Sequence, residues 1–368
     1  MKDDMRSDAS LVDFVSALRG GDGLRVEETL GSGFVRLRVS EAERRQAKHD
    51  IRCVEDAVIE LLRNSRDAGA VRLFVSSARE GSIRTITIVD DGTGIPQSMH
   101  ERIFDARVTS KLDTVHMDRW GVHGRGMALF SIRQNAQRAV VVDSSIGNGT
   151  AIQVVFDMGD ITERADQSSW PTVAYHAGKP EIRGPRNIYR ACVEFALETR
   201  DSCKVYVGSP SEVVATMHRR VIPEGSHVLW PDDPEGMRGI PLIERPALAR
   251  DARQMREAAS TLGIEMSERT AHRIVRRQIA PLRNALAQAS TQATKTQSGS
   301  SHAGSQATLA GQPRRLVMSD EDRQEFLDDV ERAFERIARR YYVEMEGEPR
   351  IRMDSQGVHI SFGYRDMD

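Results

Sequence analysis

Residues 60–70 read Glu60-Leu61-Leu62-Arg63-Asn64-Ser65-Arg66-Asp67-Ala68-Gly69-Ala70. Glu60, Asn64 and Asp67 recur at i, i+4 and i+7, so a helix here carries three polar groups on one face. Ile51, Val54, Val58, Leu61 and Leu62 continue an apolar helical period around them, the mark of a helix packed on a core. The pattern predicts one long helix from about Ser40 to Ala68, with Ser40 and Glu43 as a capping box and Gly69 as the stop. His49 falls on that same helix. On spacing alone, the polar stripe is an ordinary solvated face. It is also a workable metal-and-water site: an amide oxygen can bind Mg²⁺, and a carboxylate can take a proton from attacking water.

On either side of this stretch the pattern changes. Residues 24–39 alternate around Gly31 and Gly33 as two strands and a turn. VRLFVSS (71–77) and IRTITIVD (83–90) form two more strands, joined at Glu80-Gly81. The second runs into Asp90-Asp91-Gly92-Thr93-Gly94-Ile95-Pro96. Alternate glycines let the backbone turn sharply and approach a ligand, and a carboxylate just before them can accept a hydrogen bond from an exocyclic amine. Residues 97–123 are polar with few regular signals. Gly121-Val122-His123-Gly124-Arg125-Gly126-Met127-Ala128-Leu129 then leads a helix from near Gly124 to about Asn135, and backbone N–H groups there can cradle phosphates. RAVVVDS (138–144) and TAIQVVFD (150–157) flank IGNG, a hairpin signal, with Gly149-Thr150 opening the last strand.

The order and spacing of these four segments resemble the GHKL ATPases: gyrase B subunits, large heat-shock chaperones, histidine kinases and MutL. The resemblance covers residues 24–160. It implies an α/β sandwich, a mixed and mainly antiparallel sheet with helices on one face and ATP held between helices and a lid at 97–123. Its implied roles are Glu60 as the base activating water, Asn64 as the Mg²⁺ ligand, and Asp90 with Thr150 on the adenine. Gly92 and Gly94 would let the adenine pack closely, and Gly121, Gly124, Gly126 and Lys111 would contact the phosphates. Asp67, Ile95, His123, Arg125 and Met127 complete the expected nucleotide contacts. Glu60 and Asp67 stand where histidine kinases usually carry Asn and Lys, which points to the hydrolysing branch. NSRDAGA, VTSKLD and GVHGRGMALFSI look most like MutL. Met127 departs from it, since MutL has an acidic residue there. Residues 161–285 do not match MutL's transducer domain residue by residue, so mismatch repair itself is not implied. The expected activity is Mg²⁺-dependent ATP hydrolysis driving a conformational cycle on DNA or a protein client, with ATP-dependent homodimerisation as in hydrolysing relatives. The alternatives are a histidine-kinase-like signalling protein and a nucleotide-binding DNA regulator with little hydrolysis.

The rest of the 368 residues bounds this reading. Lys and Arg number 52 against 54 Asp and Glu, for a net charge of −2, which excludes a uniformly basic coat protein but not a local basic patch. There is no long apolar run and no apolar signal core, so the expectation is a cytoplasmic protein without membrane contact. Cys53, Cys192 and Cys203 form no CxxC and read as reduced thiols. The expected organisation is a polar lead-in at 1–23, the ATP-binding domain at 24–160, and an α/β-to-helical domain at 161–290. A flexible Ser/Thr/Gln/Gly/Ala linker at 291–316 and a helix-plus-hairpin α+β segment at 317–368 follow. Residues 252–277 resemble a helix-turn-helix with a basic second helix (Arg269, His272, Arg273, Arg276, Arg277), but charge runs are usually solvated, and the plain reading is two ordinary helices.

Overall fold

A computed structural model of the protein describes residues 26–110, 116–118, 120–123, 126–164, 166–176, 179–223, 230–231, 234–298, 343–354 and 357–366, together with Leu327, Glu331, Phe334 and Ala338. The lead-in at 1–23 and most of the expected linker lie outside them. The first half runs β1 (Val26–Gly31), β2 (Phe34–Leu37), α1 (Glu41–Asp50), α2 (Val54–Asp67), β3 (Arg72–Glu80), β4 (Ile83–Asp90), β5 (Val108–Thr109), β6 (His116–Asp118), β7 (Gly121–His123), α3 (Ala128–Asn135), β8 (Arg138–Ser144) and β9 (Thr150–Asp157). Then come β10 (Thr172–His176), β11 (Lys179–Arg183), α4 (Ile188–Glu198), β12 (Lys204–Gly208), α5 (Pro210–Arg220), α6 (Pro234–Arg238), α7 (Arg245–Leu248), α8 (Ala252–Thr261), α9 (Glu268–Val275) and α10 (Ala285–Ser298). The last two strands are β13 (Val343–Asp354) and β14 (Gly357–Asp366).

Alternation along the strands builds the central five-stranded sheet, in the order β12-β3-β4-β9-β8. Only β12 is parallel, beside β3; the β3–β4, β4–β9 and β9–β8 pairs are antiparallel. Leu73, Val75, Ile86, Ile88, Ile152 and Val154 point to one face and pack on Val54, Val58, Leu61 and Leu62 of α2 and on Phe195 of α4. Phe74, Val89 and Ala151, the intervening residues, point to the other face and pack on α5, α8 and α9. With period-two side chains, consecutive apolar residues such as Leu73-Phe74-Val75 and Ile88-Val89 need cover on both sides.

This corrects the expectation of helices on one face. The second layer comes from beyond residue 160, which was read as a separate domain. β12, from beyond position 160, extends the sheet, and one compact unit runs on to Ser300. The expected single helix from Ser40 to Ala68 is two helices. Ser40 and Glu43 do form the capping box of α1, but Cys53 turns extended, at φ −150°, and bridges to Thr162, whose carbonyl accepts Val54 N–H at 3.1 Å. That tertiary pairing interrupts a helical period with no Gly or Pro to announce it, and puts His49 on a different helix from Glu60. The helix expected near Gly124 begins at Ala128. The segment 97–123 contains two 3₁₀ turns and the β6–β7 hairpin. The start of the expected linker is helical to Ser298, with Ala289 of that helix fully buried. In the separate C-terminal unit, β13 and β14 pair antiparallel, and Phe334 meets Phe362 edge-on at 4.7 Å.

Candidate nucleotide site

The apolar side of α2 is locked on the sheet, with Val54, Val58 and Leu62 at 0% exposure. Its polar stripe therefore turns the other way. Glu60, Asn64 and Asp67 all line one cavity of about 520 Å³, a size suited to a small-molecule ligand. The far wall is Asp90, Gly94, Ile95 and Thr150, and Gly126 and Met127 stand at the start of α3. Asp90 and Thr150 are direct partners in the β4–β9 register, which is why residues so far apart in sequence meet at one point.

Asp90 is 4% exposed. Its Oδ2 accepts Ser65 Oγ–H at 2.6 Å and its Oδ1 accepts Gly92 N–H at 2.9 Å. Burial pushes its carboxyl above the usual range, outweighing the downward pull of these bonds. Thr150 Oγ1 lies 3.1 Å from Ser144 Oγ, which accepts Ile95 N–H at 2.7 Å. The loop after β4 is thereby tied to the start of β9. Asn64 presents a buried amide nitrogen with no hydrogen-bond partner among the described residues. An unmade bond at a buried amide costs about 1–3 kcal/mol, so this side chain suits a ligand in the cavity.

Glycine at 94 and 149 serves the protein's own backbone. A Cβ on Gly94 would lie 2.0 Å from Ser145 O, and one on Gly149 would lie 2.0 Å from Asp90 O. Gly92 faces Ala68 O rather than the cavity.

Several residues of this site went unread in the sequence. Arg63, 1% exposed, donates from Nη1 to Glu60 Oε1 at 2.6 Å. Its Nε and Nη2 both reach the carboxylate of Asp118, on β6, at 2.9 Å. Arg66 Nη1 adds a contact to Asp118 at 3.3 Å and its Nε pairs with Asp67 at 3.0 Å. Ser65 is the residue that holds Asp90. Arg107, also on the cavity wall, is 7% exposed with a φ of +62°. It pairs with Glu43, yet its Nε has no partner among the described residues. Arg63 is i+3 from Glu60, a signal visible in the sequence; Asp118 and Arg107 arrive only through tertiary structure. Gly121 and His123 lie on β7, paired with Asp118 and His116. Lys111, Gly124 and Arg125 lie outside the described residues.

A family model described as "Histidine kinase-, DNA gyrase B-, and HSP90-like ATPase" matches residues 49–160. These residues are a GHKL-type ATPase domain. The match ends near the close of β9, so the GHKL domain contributes α2, β3, β4, α3, β8 and β9, and β12 joins its sheet from outside. The chain is 38% identical over 108 residues to the DNA mismatch repair protein MutL of Acidiphilium cryptum, covering 29% of this chain and 18% of that protein. It is 42% identical over 84 residues to MutL of Thermus aquaticus, covering 23% and 15%. The chain thus spans less than a fifth of the length of the curated relatives it matches. Among solved structures, a mycobacterial sensor histidine kinase, MprB, aligns at 18% identity with a TM-score of 0.22, over 34% of this chain and 75% of that one. Among the described residues, no helix is long and apolar enough to cross a membrane.

Proposed function

We propose that the GHKL domain binds ATP with Mg²⁺ and hydrolyses it, and that turnover drives a conformational cycle on a client. The supporting observation is that Glu60, Asn64, Asp90 and Thr150 line one cavity. Asp90 accepts the adenine amine, and Thr150 stands beside it. Asn64 lines the cavity and would offer its amide oxygen to a magnesium ion held mainly by the nucleotide, while its unpartnered amide nitrogen is a free donor for the same ligand. Among the described residues no three His, Cys, Asp or Glu cluster to hold a metal alone, and Mg²⁺ at nucleotide sites relies on phosphate oxygens. When bound, the ion would supply charge neutralisation on the phosphates. Glu60 takes the proton of the attacking water, and Arg63 fixes the direction of its carboxylate. Phosphoryl transfer needs mainly positioning and electrostatics, so this set suffices. Lid movement about the Asp118 contact closes the site.

The likeness to MutL supports hydrolysis over kinase chemistry and supports ATP-dependent dimerisation. The test is phosphate release from ATP with Mg²⁺ and with EDTA, beside light scattering with a non-hydrolysable ATP analogue. Mg²⁺-dependent release is expected, with a doubled mass in the analogue. Release without Mg²⁺ overturns the metal assignment, bound nucleotide without release overturns the ATPase, and an unchanged mass overturns the dimer.

A further inference from the structure

The outer face of α9 is a row of arginines. Arg269, Arg273 and Arg276 recur at i, i+4 and i+7 and are all exposed, and Arg277 follows. Ala271 and Ile274, on the opposite face, are fully buried. Arg253 and Arg256 of α8, and Arg219 and Arg220 at the end of the neighbouring α5, are exposed as well. Among the described residues, no carboxylate pairs with any of these eight arginines; the nearby Glu268 lies 3.9 Å from His272, an ion pair when that imidazole is protonated. In a chain of net charge −2, exposed arginines without a carboxylate partner on three helices packed together are an electrostatic footprint for a polyanion.

We propose that α8 and α9 bind double-stranded DNA, with α9 entering the major groove. Three observations choose this partner. First, the exposed large apolar side chains among the described residues are Val71, Ile146, Tyr175, Ile222 and Tyr364, none on α8 or α9. A protein partner needs aromatic or aliphatic anchors at the centre of its contact, and a membrane surface needs an apolar face to insert. Second, an α-helix with its side chains is about 10–12 Å across, and the major groove of B-DNA is about 12 Å wide, so α9 (Glu268–Val275) can lie in it with its arginine row outward. A-form RNA has a deep, narrow major groove that side chains cannot read. Third, the helix pair is fixed in place. Ser267 caps α9 by accepting Thr270 N–H at 3.2 Å. Gly263, in the turn, has φ +71°, and a Cβ there would lie 2.7 Å from Val142 of β8. Its carbonyl accepts Gln153 Nε2–H at 2.7 Å.

That last hydrogen bond gives the proposal its consequence. Gln153 is on β9, three residues from Thr150 at the cavity wall. Leu242 N–H also donates to Asn148 O at 2.9 Å, in the loop whose Ser145 abuts Gly94. DNA on α9 and nucleotide in the cavity therefore press on opposite faces of one strand, β9, through Gln153 on one side and Thr150 and Ile152 on the other. DNA is then the client of the ATP-driven cycle. That link rests on the ATPase reading, whereas DNA binding itself does not.

The experiment uses the full chain without nucleotide and a fluorescein-labelled 24-base-pair DNA duplex, followed by anisotropy at several salt concentrations. Wild type is compared with Arg273→Ala/Arg276→Ala, whose exposed positions leave folding intact by circular dichroism. The expected result is at least a tenfold loss of affinity at 150 mM salt. The slope of log affinity against log salt should become shallower by about 2, at about 0.9 for each phosphate no longer neutralised. A wild type that ignores duplex DNA, a double variant with unchanged affinity and slope, or equal binding of a duplex RNA of the same sequence would each overturn the proposal. ATP binding is measured separately on the same samples. Its absence with DNA binding intact would sink the ATPase reading and leave this one standing.

Discussion

Asp118→Asn tests the connection between the lid hairpin and the base. In the structure, Asp118 takes two N–H groups of a guanidinium whose side chain is 2% exposed, both at 2.9 Å. It also takes Trp120 N–H at 3.0 Å, and the Trp120 ring stacks 6.1 Å from Phe195 of α4. Asparagine keeps the shape and one carbonyl oxygen but loses the charge. One charge-assisted hydrogen bond goes and the other keeps the cationic donor but loses the anionic acceptor, where hydrogen bonds to charged groups are worth about 1.5–3 kcal/mol. Glu60 remains as a counter-charge to Arg63, so the net loss is about 2 kcal/mol, less than the full cost of stranding a buried charge. At about 1.4 kcal/mol per factor of ten, the hairpin should open about 30-fold more often. Amide hydrogen exchange is the assay. Protection of β6 and β7 should fall about 30-fold, while β4, in the central sheet, should be unchanged. Protection within about threefold of wild type would refute the latch, and equal loss in β4 would show global destabilisation instead.

The other predictions rest on single sites. Asp90 has its carboxyl pKa raised by burial, so the folded state favours the protonated form. The stability this contributes is complete below the unfolded value of about 3.9 and is lost as pH rises through the folded value. Urea titrations should therefore show Asp90→Asn gaining on wild type as pH rises above about 4, and a pH-independent difference would contradict the raised pKa. Gly94→Ala forces a Cβ to within 2.0 Å of Ser145 O at φ +76°; a loss of about 3 kcal/mol or more is expected from overpacking and backbone strain together, and a melting curve like that of wild type would refute it. Cys53, Cys192 and Cys203 are buried, with burial pushing the Cys53 thiol up to about 11. Native protein at about pH 8 should resist iodoacetamide, and mass spectrometry should find all three labelled only after denaturation.

The site was more legible than the layers around it. Glu60, Asn64 and Asp67 could be read because helix periodicity is local, and Asp90 could be read because it ends a strand at a glycine turn. Their common cavity follows from packing Val58 and Leu62 on the sheet. The break at Cys53 was hidden because its cause is a bridge to Thr162, far along the chain, which leaves no local mark. The second helical layer was hidden for a related reason. Phe74, Val89 and Ala151 make continuous apolar strands with their neighbours, and such runs show that both faces are buried but not by what. Arg63 stood in plain view beside Glu60, but its partner Asp118 comes from a segment with almost no periodic signal. The glycines of DDGTGIP read as room for a ligand; Gly94 does line the cavity, and it also lets the β8–β9 turn approach closely.

The central claim is that Glu60 makes this GHKL domain a hydrolase rather than a passive nucleotide binder. The measurement is phosphate release from ATP with Mg²⁺ by wild type and Glu60→Ala, alongside nucleotide affinity by calorimetry on the same samples. Equal affinity is predicted, with release about a hundredfold slower or more in the variant, in line with loss of a general base. Release surviving the substitution at wild-type rate, with ATP bound equally well, would contradict it.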